Sequence, residues 1–315
     1  MNRKPKMQRF TKKHFDKMFP DDATCLDWLF RRFFPDGMPF CNKCQKKTKH
    51  HRVASRPSYS CDYCGHHVHP TADTIFRKSP TPLTTWFYAT YLMASTRCGI
   101  SAKQIERETG VTYKTAWRMF KQIRSMLEEG DTVLGGPESK GVEMDESYFG
   151  AKRKRGNKRG RPSAADSSKQ CVIGAVERKG KVVAMTSENA SKANLLSVAK
   201  KRILPASTVF TDEWLGYTGF EAHGYVHKRI NHSENIYVSG DTHTQTIDGF
   251  WSLVKNGIRG VYHNVGKGYL QTYLNEYSFR YNRRFDEQPM FLSFLNQIEK
   301  RDVVVNLPAV EVEPF

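Results

Sequence analysis

Three aspartates, Asp145, Asp212 and Asp248, are the side chains of this sequence best suited to chemistry. Two divalent cations about 4 Å apart need shared carboxylates, and such a pair can clamp a phosphodiester for in-line displacement. Asp145 ends the apolar run from Gly141 to Met144, and Asp212 follows the β-branched and aromatic stretch Ser207–Thr211. Asp248 lies in a segment, 246–255, that reads as the start of a helix. There Asp248, Trp251, Ser252 and Lys255 fall at i, i+3, i+4 and i+7, on one helical face. Such a face suits a metal-bound phosphate, with the carboxylate holding the cation and Lys255 touching the DNA backbone. The plainer alternative makes the aspartates turn residues, Trp251 a core residue and Lys255 a solvated one.

The elements that must position these groups follow from periodicity. Val142–Met144, Cys171–Val176 and Val182–Met185 read as successive strands, with Gly180 in the turn between the last two. Residues 190–203 keep helical spacing, Val209–Phe210 is a fourth strand leading to Asp212, and 225–230 a fifth. Residues 257–268 are glycine-rich, and a helix from Tyr269 ends in the cationic stretch Arg280–Arg284. Strands, a helix, a strand and then helices describe a mixed α/β (α+β) domain. Between the first two strands lies a strongly basic run, Lys152, Arg153, Lys154, Arg155, Lys158, Arg159 and Arg161. A run of this kind repels itself without a partner and reads as a loop that grips DNA, or else as a solvated loop.

Upstream, Cys41, Cys44, Cys61 and Cys64 form two CxxC knuckles separated by sixteen residues. This spacing fits one tetrahedral, structural Zn2+. A mixed site drawing on His50, His51, His66, His67 or His69 is the alternative. Lys43, Lys46, Lys47, Lys49, Arg52 and Arg56, with Tyr59 and Tyr63, make the ribbon basic and aromatic, either a phosphate-contacting surface or a solvated one. After a helix over 83–94, Ser101 caps a further helix in a capping box with Gln104, Gly110 ends it, and Thr112 caps the next. This is the helix-turn-helix layout, with Tyr113, Lys114, Thr115 and Arg118 as candidate groove contacts. The same layout also occurs in ordinary helical bundles.

Composition agrees with a polyanionic partner. The 315 residues carry 50 Lys and Arg against 32 Asp and Glu, a net charge of +18. No apolar stretch approaches the roughly 20 residues that span a bilayer, and no signal core follows the basic N-terminus. Seven unevenly spaced cysteines argue against a secreted disulfide scaffold, so a cytoplasmic protein is expected.

In combination these motifs resemble the DDE transposases of bacterial insertion sequences, specifically the ISXO-type group with an N-terminal zinc ribbon. The resemblance runs from about Phe15 to about Phe294. It is carried by the double CxxC, Thr74–Phe76 with Pro82–Leu83 and Trp86–Phe87, the Lys114–Met119 helix, Glu143–Tyr148, Thr211–Asp212, His243–Ser252, Lys255 and Phe279–Arg284. It implies a ribonuclease-H-like catalytic domain, Mg2+ (or Mn2+) held by Asp145 and Asp212, and DNA contact by Lys255; Asp248 is read as completing a site for two such cations. It further implies binding to terminal inverted repeats and target double-stranded DNA, a homodimer or larger on DNA, and a bacterial, nucleoid-associated location. Many relatives carry Glu where this chain has Asp248, and Gln245 and His243 are secondary candidates. The expected organisation is 1–78 with the zinc ribbon, 79–130 helix-turn-helix, 131–140 linker, 141–300 catalytic domain and 301–315 tail. A domesticated or inactive DNA-binding regulator, and a structure-specific nuclease without strand transfer, are the rival readings.

Overall fold

A computed structural model describes residues 9–150, 169–230 and 244–299. The basic run 152–161 and His243 lie outside the described residues. Two compact units are present: Arg9–Tyr91 with the described residues from Phe291 on, and Leu92–Met290.

In the first unit, α1 (Lys12–Met18) and α2 (Asp22–Phe33) precede the ribbon. The Asp21 side chain accepts from Thr24 N at 2.7 Å and so caps α2. One face of α2 buries Cys25, Leu26, Leu29 and Phe30. The ribbon consists of β1 (Phe40–Cys41) paired with β2 (Lys46–Lys47), then an antiparallel sheet of β3 (His50–Val53), β4 (Ser58–Cys61) and β5 (His67–Val68). The Phe30 ring stacks on Tyr59 at 3.7 Å, joining α2 to β4. Tyr59 is therefore a core residue whose hydroxyl donates to Asp27, and not the phosphate-facing aromatic that its basic neighbours suggest. The Arg52 guanidinium is likewise turned inward, donating to the carbonyls of Val53 and Ser58. Tyr63 does stand out in solvent, 71% exposed.

The boundary between the units falls within α3 (Leu83–Ser95). Beyond it come α4 (Ala102–Thr109) and α5 (Tyr113–Ser125), capped by Ser101 and Thr112 and joined at Gly110, whose φ of 72° is left-handed as a glycine cap requires. The capping box is half formed, because the Gln104 amide bonds Glu108 instead of reaching back. Glu106 accepts from Tyr113 N at 3.1 Å and fixes the angle between the two helices.

The sheet of the second unit has five strands: β6 (Val142–Phe149), β7 (Gln170–Glu177), β8 (Val182–Ser187), β9 (Thr208–Thr211) and β10 (Val226–Arg229). Their order is β10-β9-β6-β7-β8. The β6, β7 and β8 pairings are antiparallel, whereas β6–β9 and β9–β10 are parallel. This is the ribonuclease-H-like arrangement, and the fold is mixed α/β. Asp145 does not end its strand, since β6 continues to Phe149 and holds Asp145 at mid-strand. Lys179 (φ 64°), and not Gly180, takes the left-handed position between β7 and β8.

Helices cover both faces. On one face α6 (Lys192–Arg202) packs Leu195 and Ala199 against Met144, Ile173 and Val209. On the other, α7 (Gln245–Gly257) and α8 (Lys267–Asn282) bury Phe250, Trp251, Val254, Leu270 and Leu274 against Val172, Val176 and Phe149. Between α7 and α8 the glycine-rich stretch winds into a π-helical turn, Ile258–Tyr262, ending at His263 with φ 57°. Helix α8 also anchors α5. The fully buried Glu276 accepts from Arg124 Nε and from Arg280, each at 2.8 Å. Burial opposes its charge, but the two guanidinium groups outweigh that and hold its carboxyl below the usual range. Arg280 also donates to the carbonyls of Ala94 and Thr96 at the end of α3.

Candidate functional site

Glu143, Asp145, Ser147 and Phe149 alternate onto the α7 face of β6. Glu143 is fully buried and paired with Arg178 Nε at 2.9 Å. It accepts from Thr246 N (2.8 Å), Thr246 Oγ1 (2.9 Å) and Ile247 N (3.1 Å). Thr244, the residue at the N-cap position of α7, supplies no side-chain cap. Glu143 therefore caps α7 from a strand about one hundred residues upstream, satisfying helix N–H groups and facing the positive end of the helix dipole. In the sequence Glu143 falls in an apolar run and in the Glu143–Tyr148 motif, with nothing local to mark it as a helix cap.

Two residues along, Asp145 Oδ2 accepts from Trp251 Nε1 at 2.8 Å. Trp251 fits there because Gly174, which pairs with Asp145 across β6–β7, has no side chain. A Cβ on Gly174 would lie 2.4 Å from the indole Cζ2. Asp212 sits one residue past β9. The β6–β9 register pairs Glu143 with Phe210, so two further steps bring Asp212 beside Asp145 on the same face. Asp212 Oδ1 accepts from Trp214 N at 3.0 Å, which shapes the turn out of the strand. Asp248 is exposed in the first turn of α7, with Lys255 half-buried two turns on.

The electrostatics show that these groups share one neighbourhood. Burial, then the negative charge of Glu146, Asp212 and Asp248, push the Asp145 carboxyl up from 3.8 to about 7 against the opposing Trp251 hydrogen bond. Glu146 points to the opposite face, where the Tyr217 hydroxyl donates to it at 3.0 Å. A desolvated carboxylate with anionic neighbours is stabilised by a cation, and an all-oxygen donor set suits Mg2+ or Mn2+. The three aspartates do not converge as tightly as the thiols described next. Among the described residues, the four cysteines are the one group of three or more potential ligands whose atoms all lie within 4.8 Å.

In that cluster Cys41 Sγ lies 3.5 Å from Cys64 Sγ, and Cys44 Sγ 3.9 Å from Cys61 Sγ. Zn–S bonds of about 2.3 Å in a tetrahedron set sulfurs about 3.8 Å apart, so the residues fit a closed Zn2+ site. Burial opposes ionisation of Cys61, yet hydrogen bonds from Thr48 and the Tyr63 and Cys64 backbone bring it down to about 6. Cys44, hydrogen-bonded to Cys64 and then desolvated, is pushed up to about 12. Three histidines of the mixed-site alternative are engaged elsewhere: His50 with the Thr48 carbonyl, His51 with Asp62 and His67 with Ser58. On α5, Tyr113, Lys114 and Arg118 are exposed and Thr115 half-buried.

Among the described residues no helix is long and apolar enough to cross a membrane. Residues 134–282 match the ISXO2-like transposase domain. Over 280 residues, 84% of this chain and 92% of the relative, the chain is 26% identical to an uncharacterised protein in transposable element ISH50 of Halobacterium salinarum. A transposase-like protein of Haemophilus influenzae is 28% identical over 126 residues, covering 40% of this chain and 99% of the relative. The five-stranded sheet and the helices packed on it thus lie within the span, residues 134–282, over which this chain is similar to the ISXO2-like transposases.

Proposed function

We propose that this transposase cuts DNA at element ends and joins the freed 3′-hydroxyl to target DNA, with Asp145, Asp212 and Asp248 as its metal-binding carboxylates. The observation that carries the reading is Asp145 on β6 and Asp212 just past the end of its parallel neighbour β9, with Asp248 on a helix fastened to β6 by Glu143. Divalent cations on these carboxylates would polarise the phosphodiester and acidify the attacking water. The protein's own residues do the positioning. Glu143 sets the start of α7, Trp251 fixes one Asp145 oxygen, and Lys255 meets the phosphate backbone. Asp248 reaches one methylene less far than a glutamate would.

In this reading α4 and α5 form a helix-turn-helix that carries Tyr113, Lys114, Thr115 and Arg118 to the inverted repeats, and the ribbon adds phosphate contacts. The basic run 152–161 adds a DNA grip. Zn2+ is structural, the assembly on DNA is a dimer or larger, and the reaction takes place in the bacterial cytoplasm. The expected partition is a ribbon segment, 79–130, a linker and 141–300.

The test is strand transfer with purified protein, a fragment bearing the element ends, a plasmid target and Mg2+, beside Asp145→Ala. Joined products from the wild type alone support the reading, and strand transfer by Asp145→Ala refutes it. Specific binding without cleavage would favour a DNA-binding regulator, and cleavage without joining a nuclease.

A further inference from the structure

Two cationic clefts flank the carboxylates along the α7 face of the sheet. The first, about 590 Å³, lies beside Phe210 and Thr246 and is lined by Lys140, Lys179, Lys228 and Arg178. The second, about 320 Å³, lies beside Phe149 and is lined by Lys255, Arg259, His263 and Asn264. Their order follows from the strand and the helix. Phe210 is paired with Glu143, two residues before Asp145, and Phe149 lies four residues after it. Thr246 and Lys255 stand two residues before Asp248 and seven after it. Helix α7 therefore leads from one cleft to the other, past the carboxylates, over about 13.5 Å at 1.5 Å per residue.

Charge gives this order a meaning. Asp145, Glu146, Asp212 and Asp248 would repel a phosphate, so a polyanion reaches them only if cations on either side offset that field. Arg178 is committed to Glu143 and stacks on Phe210 at 3.7 Å. Among the described residues Lys140, Lys179, Lys228, Lys255 and Arg259 have no acidic partner. The π-helical turn Ile258–Tyr262 carries Arg259 and leads into His263, and both line the second cleft.

We propose that a single DNA strand runs along α7, with phosphates seated at Lys179 and Lys228 on one side of the carboxylates and at Lys255 and Arg259 on the other. At about 3.4 Å of rise per nucleotide the path covers about four nucleotides. The inference rests on the proposed function for the identity of the polymer.

The experiment is fluorescence anisotropy of full-length protein, in an Asp145→Ala background, with a labelled single strand of about 12 nucleotides across a salt series. Such a strand offers a helix-turn-helix no groove. Lys179→Ala with Lys228→Ala should weaken binding and flatten the salt slope by about 1.4, and Arg259→Ala by about 0.7. The effects of the two clefts should add. Lys192→Ala with Lys200→Ala, the same charge removed from α6 on the opposite face, should leave the slope unchanged. Unaltered slopes in the cleft variants, or an equal loss from the α6 pair, overturn the strand path and leave the catalytic reading intact. Cleft-dependent binding by a wild type that never cuts DNA upholds the path and sinks the catalytic reading.

Discussion

The indole of Trp251 on α7 donates to Oδ2 of Asp145 on β6 over 2.8 Å, through space left open by Gly174 on β7. Three elements thereby agree on the position of one carboxylate oxygen. Gly174→Ala should break that agreement, since its Cβ can be accommodated only if the indole moves. Overpacking of this kind destabilises by about 1–3 kcal/mol. Urea denaturation should show that loss, and strand transfer should fall further than Trp251→Phe alone makes it fall. Full activity in Gly174→Ala would mean that Trp251 does not hold Asp145 in the working state.

Glu143 should matter to α7 more than any residue of α7 itself. Glu143→Ala removes a buried charge from Arg178 and the cap from two helix N–H groups, a change worth about 3–5 kcal/mol. Glu143→Gln keeps an acceptor for the helix and should cost about 1–3 kcal/mol. Because Gln holds α7 less firmly, its kcat should fall while its KM stays near wild type. A rise in KM alone would place Glu143 in DNA binding instead.

Asp145 makes metal-free stability depend on pH, with a defined sign. Its carboxyl titrates near 7 in the folded chain and near 3.8 when unfolded, so between these values the folded state holds the extra proton. Stability is greatest below about pH 4 with respect to this group and is lost as pH rises to about 7. The loss is at most about 4 kcal/mol. Asp145→Asn should be more stable than wild type at pH 8 without divalent cations, and the advantage should shrink at pH 5. Equal melting temperatures at both pH values would contradict the desolvated setting of Asp145.

Zinc should be stoichiometric and removable. With metal bound, thiol titration of the native chain should find Cys98 as the fast-reacting group, because Cys25 and Cys171 are buried. A chelator should release one Zn2+ and expose four further thiols. Release of zinc without new thiol reactivity would place the metal elsewhere.

Glu276 joins α5 to α8, so Glu276→Ala should leave Arg124 and Arg280 buried without their carboxylate. The expected loss is about 3–5 kcal/mol. Hydrogen exchange should show α5 loosening along with α8. Loosening of α8 alone would show that α5 is held by its apolar contacts.

Much of this organisation is local and was legible in the sequence. The CxxC spacing, the caps at Ser101 and Thr112, the glycine stop at Gly110 and the alternation of β6 to β9 need only near neighbours, because turn chemistry and periodicity act within a few residues. The resemblance to insertion-sequence transposases rested on such stretches, and the domain match agrees with it. The sequence by itself also determined which residues carry charge, and with the net charge of +18 the expectation of a polyanionic partner. Tertiary structure alone decided that Glu143 caps a helix 103 residues away, that Gly174 makes room for Trp251, that Tyr59 turns inward and that α7 runs between two cationic clefts. Each of these depends on strand register and on which face a helix presents. Register is fixed by pairing between distant segments, where a slip of one residue would send every side chain to the opposite face.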